Sequence, residues 1–144
     1  VSRLRLGELT VLAGAGLLIA SLFVRNYQNA AGDLSIWETF GPAAALLLAA
    51  ICGGLMVVVS ALTERDSAAL PVSSAVWSVL LGLLGFVAAL IRVFERPDHA
   101  TMACIGVWLA LAGAALVLLG SWWTLRDERP SRYRPARPAP RPHP

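Results

Sequence analysis

Charged positions divide the chain into long apolar runs joined by short polar connections. Phe40 to Leu62, Leu70 to Ile91 and Thr101 to Leu125 each pass more than twenty residues without a charge, and Leu9 to Val24 is a shorter run of the same kind. A bilayer core takes about 20 apolar residues as one helix, whereas a surface helix of a soluble protein would interrupt such a run with a polar face. The pattern predicts four membrane-spanning helices, over about residues 7–25, 41–62, 71–93 and 100–124, in one domain, 1–129, followed by a tail, 130–144. Short connections make consecutive helices antiparallel neighbours. The expected fold class is therefore all-α: an integral membrane four-helix bundle of antiparallel up-down hairpins.

The connections carry their own local signals. In the longest, Ser35-Ile36-Trp37-Glu38 has the spacing of a capping box, in which the serine caps the third amide and the glutamate returns to the cap amide. A short helical turn should begin there and present Ile36, Trp37 and Phe40 at headgroup level, where tryptophan is favoured. Pro42 should separate that turn from the second span and Pro71 should open the third, since proline fits a first helical turn and disrupts an interior. Asp98 stands where a cap for the fourth span is expected.

Composition strengthens this picture and charge orients it. The chain is 57% hydrophobic, above the roughly 45–50% of soluble domains. Every basic side chain is arginine, which suggests a GC-rich bacterial genome. Arg3 and Arg5 before the first run resemble a signal peptide, but Asn29-Ala30-Ala31 is a weak cleavage site, so an uncleaved anchor is expected. Four spans put both ends of the chain on one side. Arg3, Arg5, Arg65, Arg126, Arg129, Arg132, Arg134, Arg137 and Arg141 share that side, and Arg25, Arg92 and Arg96 share the other. The positive-inside rule then predicts a multi-pass cell-membrane protein of the bacterial inner membrane with cytoplasmic N and C termini.

In lipid, helices associate through close packing, so small residues should mark the seams. Candidates at helical spacing are Gly16 and Ala20 in the first span, Ala45, Ala49 and Gly53 in the second, Ser74, Ser78 and Gly82 in the third, and Gly106, Ala110 and Ala114 in the fourth. Gly85 and Ala89 are the candidates for a seam with a second subunit, which would make the protein a homo-oligomer or part of a membrane complex.

Candidate chemistry is sparse. Glu8 is the acid that the short first run brings to the membrane edge, where it suits proton coupling; as an anion near a helix N-terminus, three residues after Arg5, it better suits an ion pair. Arg92, Glu95 and Arg96 share a helical surface followed by Asp98 and His99, a set that fits a solvated ion-pair cluster better than a metal or pH-sensing site. Cys52 and Cys104 fall inside expected spans, where they act as small apolar residues. Trp122 and Trp123, just before Arg126, form an inner aromatic belt, while Trp77 and Trp108 lie about two turns into their spans as packing or lipid-facing residues.

The tail, PSRYRPARPAPRPHP, is expected to be a disordered polyproline-like arm. Such an arm fixes topology and solubility without any partner; Arg126, Arg129, Arg132, Arg134, Arg137 and Arg141 could also hold it on anionic lipid at about 1 kcal/mol per charge near the surface. Pro135-Ala136-Arg137-Pro138 would alternatively offer a Pro-x-x-Pro ligand to a cytoplasmic partner. No nucleotide-binding loop, zinc-protease motif, paired-cysteine pattern or nucleophile elbow is present in the sequence, so no catalytic, cofactor or metal residue is nominated. With the basic charge confined to membrane flanks and tail, lipid rather than nucleic acid is the expected polyanion.

Arg5 to Glu8, Ser21 to Phe23, Tyr27, Ile36-Trp37-Glu38 with Phe40-Gly41, and a Trp-rich last span ending in Arg126-Asp127-Glu128-Arg129 together resemble small four-span membrane proteins of actinobacteria that lack an assigned function. Val24-Arg25-Asn26-Tyr27 stands where such proteins commonly carry Leu-Pro-Trp-Tyr. The resemblance covers most of the membrane domain and implies no activity. The functional expectation is a non-enzymatic accessory or scaffold protein whose basic tail meets lipid or a partner. The alternative is a small transporter or transporter subunit with Glu8 as its coupling carboxylate.

Overall fold

The computed structural model describes residues 6–63, 69–95 and 102–127. Its elements, in order, are α1 (Leu6–Phe23), β1 (Tyr27–Asn29), β2 (Gly32–Leu34), α2 (Ile36–Phe40), a 3-10 turn (Gly41–Ala43), α3 (Ala44–Thr63), α4 (Ala69–Phe94), β3 (Met102–Ala103) and α5 (Ile105–Asp127). Four stretches, Leu6–Phe23, Ile36–Thr63, Ser73–Phe94 and Ile105–Arg126, are long and apolar enough to cross a membrane. The four long helices pack as an antiparallel ring in the order α1, α3, α4, α5, and α5 closes back onto α1.

The turn before α3 forms as its residues dictate. Glu38 accepts hydrogen bonds from the Ser35 amide at 2.8 Å and the Ser35 hydroxyl at 2.9 Å, completing the capping box. Gly41 ends α2 at φ +50°, a conformation that costs glycine nothing. Pro42 then occupies the 3-10 turn between α2 and α3, and Pro71 falls in the first turn of α4. The tail, 130–144, lies outside the described residues.

Three expectations are corrected. The connections are not simple loops, because β1 pairs with β2 (Tyr27 with Leu34, Asn29 with Gly32) and with β3 (Tyr27 with Ala103), giving an antiparallel sheet in the order β2-β1-β3 at one end of the bundle. Consequently α5 starts at Ile105 instead of about residue 100. Asp98, the expected cap, lies outside the described residues. Cys104 likewise lies at this sheet end rather than at mid-span, its amide donating to the Asn26 carbonyl at 2.8 Å.

The seam of α1 follows a different spacing from the one expected, and part of the α3 set does not face a neighbour. Gly16 has open space around it and Ala20 is exposed; Ala45 is exposed too, and Ala49 only half-buried. The α1–α5 seam instead runs on a seven-residue spacing. Gly7 lies against Gly120, and Gly14 against Gly113, with Gly106 continuing the series toward the sheet end. A Cβ on Gly14 would stand 2.8 Å from the Gly113 carbonyl oxygen, and one on Gly120 would stand 2.8 Å from that of Gly7. The backbones are thus in direct contact. A seven-residue repeat keeps one stripe facing its partner when helices wrap left-handed.

Ser74, Ser78, Gly82, Gly106, Ala110 and Ala114 are buried as expected. Gly85 and Ala89 are buried inside the chain, with a Cβ on Gly85 meeting Ala50 at 2.9 Å, so they are not available to a second subunit.

The core has two parts. Near the sheet, Tyr27, Ile36 and Phe40 fill the space between the helix ends and pack with Leu18, Leu47, Val107 and Val117. Nearer the chain termini, Val11, Val57, Val58 and Ala75 form a smaller cluster.

Candidate functional sites at the two ends of the bundle

At the termini end, α1 carries Glu8 in its first turn with only 8% of its surface exposed. Its neighbour Gly7 backs onto Thr124 of α5, whose hydroxyl donates to the Gly120 carbonyl at 3.0 Å. Buried hydroxyls cluster in the same half of the bundle. Ser78 of α4 and Ser121 of α5 are hydrogen-bonded at 2.7 Å, and Ser60 of α3 and Ser74 of α4 at 2.9 Å. Ser60 also hydrogen-bonds the Val57 carbonyl of its own helix at 2.9 Å. These pairs join α3 to α4 and α4 to α5 without carrying charge.

At the sheet end, Asn26 is the junction. Its side-chain amide donates to the carbonyls of Ser21 at 3.1 Å and Val24 at 3.0 Å, holding the C-terminal end of α1. Its backbone amide donates to Leu34, its carbonyl accepts from Cys104, and the Arg25 carbonyl accepts from Gly106. One residue thereby ties α1, β2 and the start of α5 together. Asn26 Oδ1 is buried without a hydrogen bond and faces the Cα of Gly106, where a Cβ would come within 2.7 Å. The Cα–H in that direction is a weak donor.

Arg25 pairs with Asp33 across the strands at 3.4 Å, with both side chains exposed, so the pair adds little to stability. Arg92, in the last turn of α4, does not join an ion-pair cluster with Glu95. Its guanidinium points inward to the Phe40 carbonyl, at 3.3 Å, and lies 5.9 Å from the Phe40 ring centroid. The Tyr27 hydroxyl donates to the Arg92 carbonyl. Sequence reasoning missed Tyr27 and Asn26 because neither sits in a helical pattern, and the pairing that buries them involves strands of two and three residues.

The interfacial residues divide. Trp37, Trp122 and Trp123 are exposed, as are Trp77 and Trp108. Phe40, expected at headgroup level, is instead fully buried, because the capped turn rolls it inward beneath the sheet. Arg126 is exposed at the end of α5; Arg129, Arg132, Arg134, Arg137 and Arg141 lie outside the described residues, as do Arg96, Asp98 and His99. Cys52 and Cys104 are free thiols. Among the described residues, no group of three or more His, Cys, Asp or Glu side chains could hold a metal ion. A scan against protein-family models and searches of curated proteins and solved structures return no match.

Proposed function

We propose that this chain is a non-enzymatic multi-pass protein of the cell membrane, with both termini cytoplasmic. In this reading it is an accessory or scaffold protein whose arginine-rich tail meets anionic lipid or a cytoplasmic partner. The observation that carries it is the set of four packed helices, each long and apolar enough to cross a membrane; the backbone contact of α1 with α5 at Gly7/Gly120 and Gly14/Gly113 supports a close-packed bundle. The arginine distribution supports the orientation. Removing residues 130–144 tests the tail: the truncated protein should still insert in the membrane but lose its co-purifying partner and bind phosphatidylglycerol more weakly. Unchanged binding of both would refute a role for the tail.

The second reading, a small transporter or transporter subunit, draws on the burial of Glu8 at the end of a span. Proton-driven flux in vesicles should then fall with Glu8→Gln, and equal flux in both proteins removes the coupling role. Native mass spectrometry in mild detergent reports the oligomeric state: a purely monomeric species would remove the homo-oligomer from either reading.

A further inference from the structure

We propose that Arg92 binds the phosphate of a membrane phospholipid at the sheet end of the bundle; this rests on the reading that the four helices span the membrane. Arg92 is half-buried in the last turn of α4, between the exposed apolar side chains of Ile91 and Phe94. Its depth is therefore that at which a spanning helix leaves hydrocarbon and meets headgroups.

Among the described residues the guanidinium has no counterion: no carboxylate lies within ion-pairing distance, although Glu95 follows three positions later and is exposed. The guanidinium meets a carbonyl at 3.3 Å and an aromatic ring, both on Phe40. A guanidinium has five N–H donors in a fixed fork, and the Phe40 carbonyl takes one of them. The remaining donors suit a bidentate oxyanion, and phosphate is the oxyanion present at that depth of every phospholipid bilayer.

The group is also held in place. The Tyr27 hydroxyl, from β1, fixes the Arg92 carbonyl, and the buried Phe40 ring supports the side chain from within. Ordering a flexible arginine is a cost that lipid binding at this position does not bear in full. A bare structural role is the competing account, in which Arg92 only satisfies the Phe40 carbonyl at the end of α2. That role predicts a change in stability but no selectivity for phosphate.

The experiment is native mass spectrometry of the full chain, purified in mild detergent and titrated with phosphatidylglycerol, with diacylglycerol of the same acyl chains, or with inorganic phosphate. Wild type should retain phosphatidylglycerol, and Arg92→Gln should weaken retention about tenfold, the loss expected for one charged hydrogen-bonded contact. Arg92→Lys should recover part of it. Arg25→Gln, at the same end but already paired with Asp33, should retain lipid as wild type does.

Equal retention by wild type and Arg92→Gln overturns the proposal, as do equal losses in Arg25→Gln and Arg92→Gln or diacylglycerol retained as well as phosphatidylglycerol. Competition by millimolar inorganic phosphate would assign the site to free phosphate and overturn the lipid assignment. Membrane fractionation separates this failure from that of the underlying reading: a chain recovered in the soluble fraction refutes the spanning helices, whereas an inserted chain with Arg92-independent lipid retention refutes only the site.

Discussion

Gly14 and Gly16 stand two residues apart on α1 and offer a direct measure of how the bundle is held. A Cβ at position 14 would lie 2.7 Å from the Val117 nitrogen, 2.8 Å from the Gly113 oxygen and 2.9 Å from the Leu116 Cβ. At position 16 it would meet nothing within 4 Å. Two of the three atoms met at position 14 are backbone, which cannot rotate away, so α1 and α5 must separate by about 0.7 Å to restore ordinary contact. A gap of that size forfeits about a quarter to a half of the dispersion energy along the seam, and overpacking of this kind costs about 1–3 kcal/mol.

Both substitutions by alanine remove the same glycine backbone freedom, worth roughly 0.5–1 kcal/mol in favour of the helix. Comparing Gly14→Ala with Gly16→Ala cancels that contribution and isolates the contact. Gly16→Ala should be as stable as wild type or slightly more so, and Gly14→Ala should be less stable than Gly16→Ala by about 1–3 kcal/mol. Reversible unfolding in detergent, followed by far-ultraviolet circular dichroism, checks the order. Equal stability of the two variants would refute backbone contact at this seam.

Two further substitutions probe other links. Ser78→Ala and Ser121→Ala should be less than additive when combined, with a coupling of about 0.6 kcal/mol and at most about 1.7 kcal/mol, as for buried hydroxyl pairs between membrane helices; a double-mutant unfolding cycle measures it, and strict additivity refutes the hydrogen bond. Tyr27→Phe removes a buried donor from the Arg92 carbonyl and should cost about 1–2 kcal/mol in the same unfolding assay, with no loss expected if the hydroxyl were solvated.

The four long helices were legible because the absence of charge over about 20 residues marks a segment apolar enough to cross a membrane. The capped turn was legible because Ser35 and Glu38 stand at the spacing their hydrogen bonds require. The sheet was not: its turn is Ala30-Ala31, without the glycine or asparagine that marks a tight hairpin, and Met102–Ala103 is too short to show an alternation. The α1–α5 seam was hidden for a different reason. Four-residue spacing selects Gly16 and Ala20, whereas the contacts with α5 follow a seven-residue spacing and select Gly7 and Gly14.

At the candidate sites, sequence spacing grouped Arg92 with Glu95, since neighbours three apart share a helix face. The side chain turns instead to Phe40, a partner 52 positions away that periodicity within one helix does not reveal.

The seams are unequal, and the inequality bears on function. Glycines bring backbone to backbone between α1 and α5. They bring α4 close to α5, where a Cβ on Gly82 would lie 3.2 Å from the Leu118 Cα, and to α3, where one on Gly53 would lie 3.3 Å from the Ser78 Cα. Between α1 and α3 the corresponding contact is with a side chain, Val11 Cγ1, at 3.2 Å from a Cβ on Gly54. Side chains can repack where backbones cannot, so this seam is the one along which the bundle opens most easily, and Glu8 lies one turn from Val11. The scaffold and transporter readings therefore part there. With Cys52 and Cys104 replaced by alanine, cross-linking Val11→Cys to Gly54→Cys should leave tail-dependent partner binding unchanged if the bundle is a support. Loss of that binding on cross-linking, restored by reduction, would show that the function depends on opening of this seam and would refute the scaffold reading.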